Sequence, residues 1–221
     1  MIQQHSIKVP KTAHYYTLGE LQVGTKEVWL IFHGYGQLAS RIINKFTSIQ
    51  STDRFFVSIE GLSRFYWGDA MSTQVAASWM TSQDRLEEIA DFCHYIQTIY
   101  DDLKSKIGED TKIILFGFSQ GVATLMRWLH QNQPEFHTAI LWAGGVPEDI
   151  DFLPLKSYFS NKALHFIHGT QDEFLTQKRM KFQKSVMIKN EFEVTMHSFE
   201  GKHVVDRQAL IKITEALKFT E

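Results

Sequence analysis

The five residues Gly117-Phe118-Ser119-Gln120-Gly121 follow the apolar run Lys112–Phe116 and lead into a second apolar stretch, Val122, Ala123, Leu125, Met126 and Leu129. A serine between two glycines, at the junction of a buried strand and a helix, is poised on a sharp turn. Side chains two positions to either side would strike the neighbouring strand and helix, so both flanking positions call for glycine. The helix that starts there would direct free N–H groups and a partial positive charge at the serine hydroxyl. Such a serine attacks acyl carbonyls. The simpler alternative is a glycine-bounded strand–helix turn with Ser119 as its N-cap.

Attack on a carbonyl places negative charge on oxygen, which two backbone N–H groups can hold. Gln120, just after the serine, would supply one. The other is expected from the turn His33-Gly34-Tyr35-Gly36 after the apolar run Trp29–Phe32, from Tyr35 first and Gly34 second. His33 precedes the serine and is read as shaping that loop.

In strand–turn–serine–helix proteins the acid and then the base follow the serine along the chain. His168-Gly169-Thr170-Gln171-Asp172 follows the apolar run Leu164–Ile167, which places Asp172 on a strand-end loop. There it could orient an imidazole, or cap the helix expected over Glu173–Ile188. Asp149, Asp151 and Glu173 are rival acids without that position. Only His197 and His203 lie beyond Asp172. His197 falls within the alternating stretch Glu193–Phe199, whereas His203 sits in a loop before the last helix, which favours His203 as the general base.

Compact apolar runs that must be strands recur at Glu27–Phe32, Phe55–Ile59, Lys112–Phe116, Thr138–Trp142, Leu164–Ile167 and Phe192–Phe199. Helical spacing occupies Ser40–Ser51, Ser82–Ser105, Gln120–Gln131, Glu173–Ile188 and Val204–Phe219. Strands alternating with helices predict a mostly parallel sheet with helices on both faces. Ligands bind such sheets at the carboxyl ends of the strands, where the turns carrying Tyr35, Ser119, Asp172 and His203 fall. Two alternating stretches, Ser6–Val9 and His14–Leu18, predict an N-terminal hairpin around Pro10 and Lys11.

The chain of 221 residues, without repeats or linkers, is expected to form one domain over residues 1–221. Its net charge of −2 gives no field for nucleic acid or anionic lipid. A single cysteine, Cys93, excludes an intrachain disulfide, and no apolar run is long enough to span a membrane. With no apolar run near Met1–Pro10, a soluble cytoplasmic protein is expected. Among the remaining histidines, His165 and His168 would point to opposite faces of a strand. No metal site and no cofactor are expected.

His33-Gly34-Tyr35-Gly36, Gly117-Phe118-Ser119-Gln120-Gly121, His168-Gly169-Thr170-Gln171-Asp172 and Gly201-Lys202-His203 together resemble the phospholipase/carboxylesterase family of α/β-hydrolases. That family includes acyl-protein thioesterases and small bacterial carboxylesterases. The resemblance implies an α/β-hydrolase fold, a Ser119–Asp172–His203 triad, and an oxyanion hole from Tyr35 and Gln120. It also implies cofactor-free hydrolysis of small acyl esters or thioesters, with an acylated protein as a further substrate. The chain departs from the family at Gln37, often Asp, and at Val122, often Gly. Phe65–Met80 also lacks the family's usual Trp-plus-Asp pattern.

Residues 60–82 and 145–162 each follow a strand and could fold over the serine, but neither is long enough for a large cap domain. The site should therefore be fairly open. Phe65, Trp67 and Trp79, with Tyr66, would suit an apolar acyl pocket, or would extend the core. A carboxylesterase is the leading reading and a thioesterase the next. A non-catalytic binding module on the same fold is the alternative from another class.

Overall fold

A computed structural model describes residues 1–68, 71 and 73–217. Seven strands make the main sheet: β1 (Tyr15–Leu18), β2 (Glu27–Phe32), β3 (Arg54–Ile59), β6 (Lys112–Phe118), β7 (Thr138–Trp142), β8 (Ala163–Gly169) and β9 (Val194–Phe199). Their order across the sheet is β1-β3-β2-β6-β7-β8-β9, with every neighbouring pair parallel except β1 with β3. The central strands are buried on both faces, which is why they read as unbroken apolar runs.

Alternation along each strand sends neighbouring side chains to opposite layers. Trp29 packs on Phe46 of the segment after β2, and Phe116 meets the same ring edge-on at 5.0 Å. Phe32, three residues on from Trp29, packs instead on Trp128 of helix α3 (Gln120–Asn132). Helices therefore cover both faces. On the Trp128 side, α2 (Arg85–Lys104) joins α3 through Tyr100 against Trp128 and through the Trp128 indole N–H to Gln97 Oε1, 2.9 Å. On the Phe46 side, α6 (Arg207–Ala216) reaches the Asn44 carbonyl through Arg207.

Several expected elements are corrected. The run Ser6–Val9 forms no strand, and Ile7 and Val9 are exposed; Tyr15–Leu18 pairs with β3 instead, so the N-terminal hairpin does not form. The helix expected over Ser40–Ser51 is one α turn, α1 (Ala39–Ile42), followed by a 3-10 helix over Ile43–Ile49. Its buried residues Ile43, Phe46 and Ile49 are spaced by three, the repeat of a 3-10 helix. Helix α2 begins at Arg85 because Asp84 takes a left-handed turn at φ 49°. Helix α5 (Gln177–Lys189) begins after its cap, Thr176, whose hydroxyl accepts the Arg179 N–H. The last two residues of the expected Val204–Phe219 helix, 218 and 219, lie outside the described residues.

The two insertions carry short elements and no large cap. Residues 60–82 hold a two-stranded ribbon that periodicity did not reveal, β4 (Ser63–Tyr66) paired antiparallel with β5 (Val75–Ser78). Residues 145–162 hold a 3-10 turn, Leu153–Leu155, and the short helix α4 (Lys156–Phe159).

Candidate active site

At the end of β6 the backbone of Ser119 adopts φ 53° and ψ −116°, a conformation that L-residues rarely occupy. The turn survives because its surroundings over-determine it. The Ser119 N–H donates to the Trp142 carbonyl on β7, 2.9 Å. Gly121 faces the Phe32 carbonyl so closely that any side chain there would overlap β2, and a Cβ on Gly117 would lie 2.7 Å from the Gly121 carbonyl. Val122 is accommodated opposite Gly144, whose missing side chain leaves room for its methyl groups.

His203 stands between Ser119 and Asp172. Its Nε2 lies 2.9 Å from Ser119 Oγ and its Nδ1 lies 2.8 Å from Asp172 Oδ2. The side chain of Asp172 is fully buried and that of His203 is 14% exposed, so the pair is largely shielded from water. Oδ1 of Asp172 accepts the N–H groups of Phe174 (2.8 Å) and Leu175 (3.0 Å), which fixes the carboxylate. The loop carrying His203 is tied down by Gln171 N–H to the Gly201 carbonyl and by the Trp142 indole to the Val204 carbonyl, both 2.8 Å. Phe118 and Phe174 flank the imidazole with ring centroids 5.0 and 4.7 Å away.

Two of the rival acids and the rival base have other partners. Asp149 pairs with Arg127, and Asp151 accepts the Leu153 N–H. His197 contacts His165 across β8 and β9 at 3.1 Å.

The loop after β2 approaches the serine closely, since a Cβ on Gly34 would lie 3.2 Å from Ser119 Cβ. Gln37 holds this loop: its Oε1 accepts the Gly34 N–H at 3.1 Å, and its carbonyl accepts the Ala77 N–H at 3.2 Å. The Gly36 N–H in turn donates to the Ala77 carbonyl, 2.9 Å. The Gly34 N–H is thus occupied, while the Tyr35 N–H has no hydrogen-bond partner among the described residues. The Gln120 N–H stands in the first turn of α3, where helices leave N–H groups unpaired. The Gln120 side chain is committed to the ribbon's exit, donating to the Met80 carbonyl at 2.8 Å and accepting the Trp79 N–H at 3.2 Å.

Beneath the loop, His33 is fully buried. Its Nε2 accepts the Gly61 N–H at 2.9 Å, leaving Nδ1 to donate to the Gly34 carbonyl at 2.8 Å. Burial pushes its pKa from 6.5 down to about 4, so folding holds it neutral. The unfolded chain takes up a proton below pH 6.5 that the folded chain refuses. The stability His33 contributes is therefore complete above pH 6.5 and is lost as pH falls towards 4. The shift corresponds to about 3 kcal/mol. The urea midpoint is accordingly expected to drop markedly between about pH 7 and about pH 4.5. A midpoint that stays flat over that range contradicts a neutral buried His33.

Of the aromatic residues expected to line a pocket, only Trp67 does so, lying over Gly36 at the cleft mouth. Phe65 sits behind it, stacked on Tyr35 and Trp67 at centroid distances of 5.5 and 6.0 Å. Trp79 is a correction: it is 1% exposed, packs on His33, Phe32 and Phe92, and donates its indole N–H to the His33 carbonyl at 2.9 Å. It supports the loop from within the core.

The cleft holds about 530 Å³ and is lined by Tyr35, Ser119, Gln120 and His203, by Gly144–Asp149, and by Phe174 and Leu175. Arg85, Arg127 and Arg179 also line it; in the sequence Arg179 belongs to the basic cluster Lys178, Arg179, Lys181 and Lys184, which reads as a solvated helix face, and no motif marks Arg85 or Arg127. The available signal was position: Arg127 lies eight residues after Ser119 on the buried helix α3, an unusual place for a cation.

A model of the phospholipase/carboxylesterase family matches residues 22–221. Comparison with curated proteins gives no match. Among solved structures, acyl-protein thioesterase 2 of Zea mays is similar with a TM-score of 0.70 at 14% identity, over 93% of this chain and 98% of that one. The Bacillus cereus carboxylesterase is similar with a TM-score of 0.64 at 14% identity, over 92% of each chain. At these identities the likeness is one of fold. No helix among the described residues is long and apolar enough to cross a membrane.

Proposed function

Because the chain belongs to the phospholipase/carboxylesterase family, we propose that this hydrolase cleaves carboxylic ester and thioester bonds through an acyl-enzyme on Ser119. The observation that carries the reading is the unbroken contact from Ser119 Oγ through His203 to Asp172, at 2.9 and 2.8 Å.

The geometry supports a two-stage reaction. As Ser119 Oγ bonds to the substrate carbonyl carbon, His203 Nε2 takes its proton and Asp172 stabilises the resulting imidazolium. The carbonyl oxygen becomes an oxyanion facing the Tyr35 and Gln120 N–H groups. Collapse expels the alcohol or thiol, which receives the proton from His203. Water then repeats the sequence on the acyl-enzyme, with His203 as base again, and releases the carboxylic acid.

Gln37 serves this reading by occupying the Gly34 N–H, which leaves Tyr35 as the loop's oxyanion donor. A cleft open at Trp67 and Phe174 admits either a small ester or the acylated segment of a protein. We read residues 1–221 as one domain carrying this single site.

A series of nitrophenyl esters and matched acyl thioesters of increasing chain length, offered to the protein with and without prior phosphonate treatment, tests the proposal. Turnover of esters, thioesters or both, abolished by the phosphonate, is the expected result. Correctly folded protein that turns over neither bond and takes no phosphonate favours the binding module.

A further inference from the structure

The cleft wall beyond Ser119 is charged. Arg85, Arg127 and Arg179 line it together with Glu148 and Asp149, the carboxylates they pair with, so the arginines outnumber the acidic residues in the lining. Arg85 is the first residue of α2 and Arg179 lies in the first turn of α5, beside the positive ends of their helix dipoles. Cations are disfavoured there, and the first turn of α3 opens onto the same cleft through Gln120. Helix stability alone would not place Arg85 and Arg179 at these two helix starts.

Arg127 is the anchor. Its side chain is 5% exposed, while that of its partner Asp149 is 52% exposed. One nitrogen, Nη2, makes both contacts to the Asp149 oxygens, at 2.6 and 2.8 Å, and Nε is buried without a partner. A guanidinium usually meets a carboxylate with two parallel N–H groups, so its hydrogen-bonding capacity is underused here. Arg85 reaches Asp149 only at 3.6 Å and Arg179 reaches Glu148 at 3.3 Å. Both are half-exposed pairs that can rearrange around an incoming anion.

We propose that this wall binds an anionic group, a carboxylate or phosphate, on the substrate of the Ser119 site, an inference that rests on the esterase reading above. Arg127 stands eight positions after Ser119, a backbone rise of about 12 Å along α3, so the charged wall lies farther along the helix than the reacting carbonyl. An apolar chain placed there would strip water from three guanidinium groups without replacing their hydrogen bonds. The preferred substrates are therefore acidic esters or thioesters.

The test compares kcat/KM for nitrophenyl esters of one acyl length that end in methyl, carboxylate or phosphate, using wild type, Arg85→Gln and Arg179→Gln. Both arginines are partly exposed, which keeps folding out of the comparison. Wild type is expected to prefer an anionic ester by about tenfold or more, with the preference reduced several-fold in each variant and by high salt. The better of the two anionic esters identifies the group. Equal or faster hydrolysis of the methyl-ended ester overturns the proposal while leaving the esterase reading intact. If no ester is turned over, calorimetric titration of wild type with adipate and with inorganic phosphate decides. Saturable binding weakened about tenfold by Arg179→Gln supports the anion site without the esterase, and no saturable binding overturns it.

Discussion

Ser119→Ala is expected to lower kcat for any ester the protein hydrolyses by at least about 10⁴-fold, equivalent to about 5.5 kcal/mol of transition-state stabilisation. In the proposed mechanism the hydroxyl is the group that bonds to the carbonyl carbon. Alanine leaves every backbone contact of the turn in place, including the Ser119 N–H to the Trp142 carbonyl. The residual rate would come from the cleft and the two N–H groups alone. Thermal unfolding should be nearly unchanged, because the lost side chain's hydrogen bond is the one to His203. A variant that keeps more than about a tenth of wild-type kcat means another residue attacks the substrate.

His203→Ala should be as damaging to turnover, again about 10⁴-fold, and should also destabilise the fold. The reason is the fully buried Asp172 carboxylate. Oδ1 would keep its two N–H donors from Phe174 and Leu175, but Oδ2 would lose the imidazole, at a cost of about 1–3 kcal/mol. Ser119→Ala and His203→Ala should therefore match in activity and differ in unfolding midpoint. Asp172→Asn should fall less far, about 10²–10⁴-fold, because an amide still fills the space but presents a donor where Nδ1 needs an acceptor. Kinetics with wild-type values of kcat in His203→Ala contradict its role as base, and silence of Asp172→Asn contradicts the choice of acid.

The sheet and the three residues in contact, Ser119, His203 and Asp172, were legible because each depends on a local pattern. Trp29–Phe32 and Ile113–Phe116 are apolar without alternation, as expected of a doubly covered strand. Gly117 and Gly121 flag the elbow because their neighbours leave no room for a side chain. Asp172 and His203 stood out by following strands, and the structure brings both within hydrogen-bonding distance in one file with Ser119.

What was illegible depends on contacts between distant segments. Trp79 looks like a pocket residue in the sequence, yet its indole bonds to the His33 carbonyl 46 residues away and draws it into the core. The ribbon of β4 and β5 carries mostly polar or small residues, and the Gln37–Ala77 bridge links it to the loop after β2. Gln37 and Val122, departures from the family pattern, make sense only beside Gly34 and Gly144. The arginine wall is assembled from the starts of α2 and α5 and the middle of α3, so no sequence window contains it.

The measurement that bears most directly on the central claim is labelling by a serine-reactive phosphonate, read by intact mass and then by peptide mapping. One adduct per chain is expected, on Ser119, formed far more slowly in His203→Ala. A label on any other residue, or folded wild-type protein that stays unlabelled, contradicts that claim.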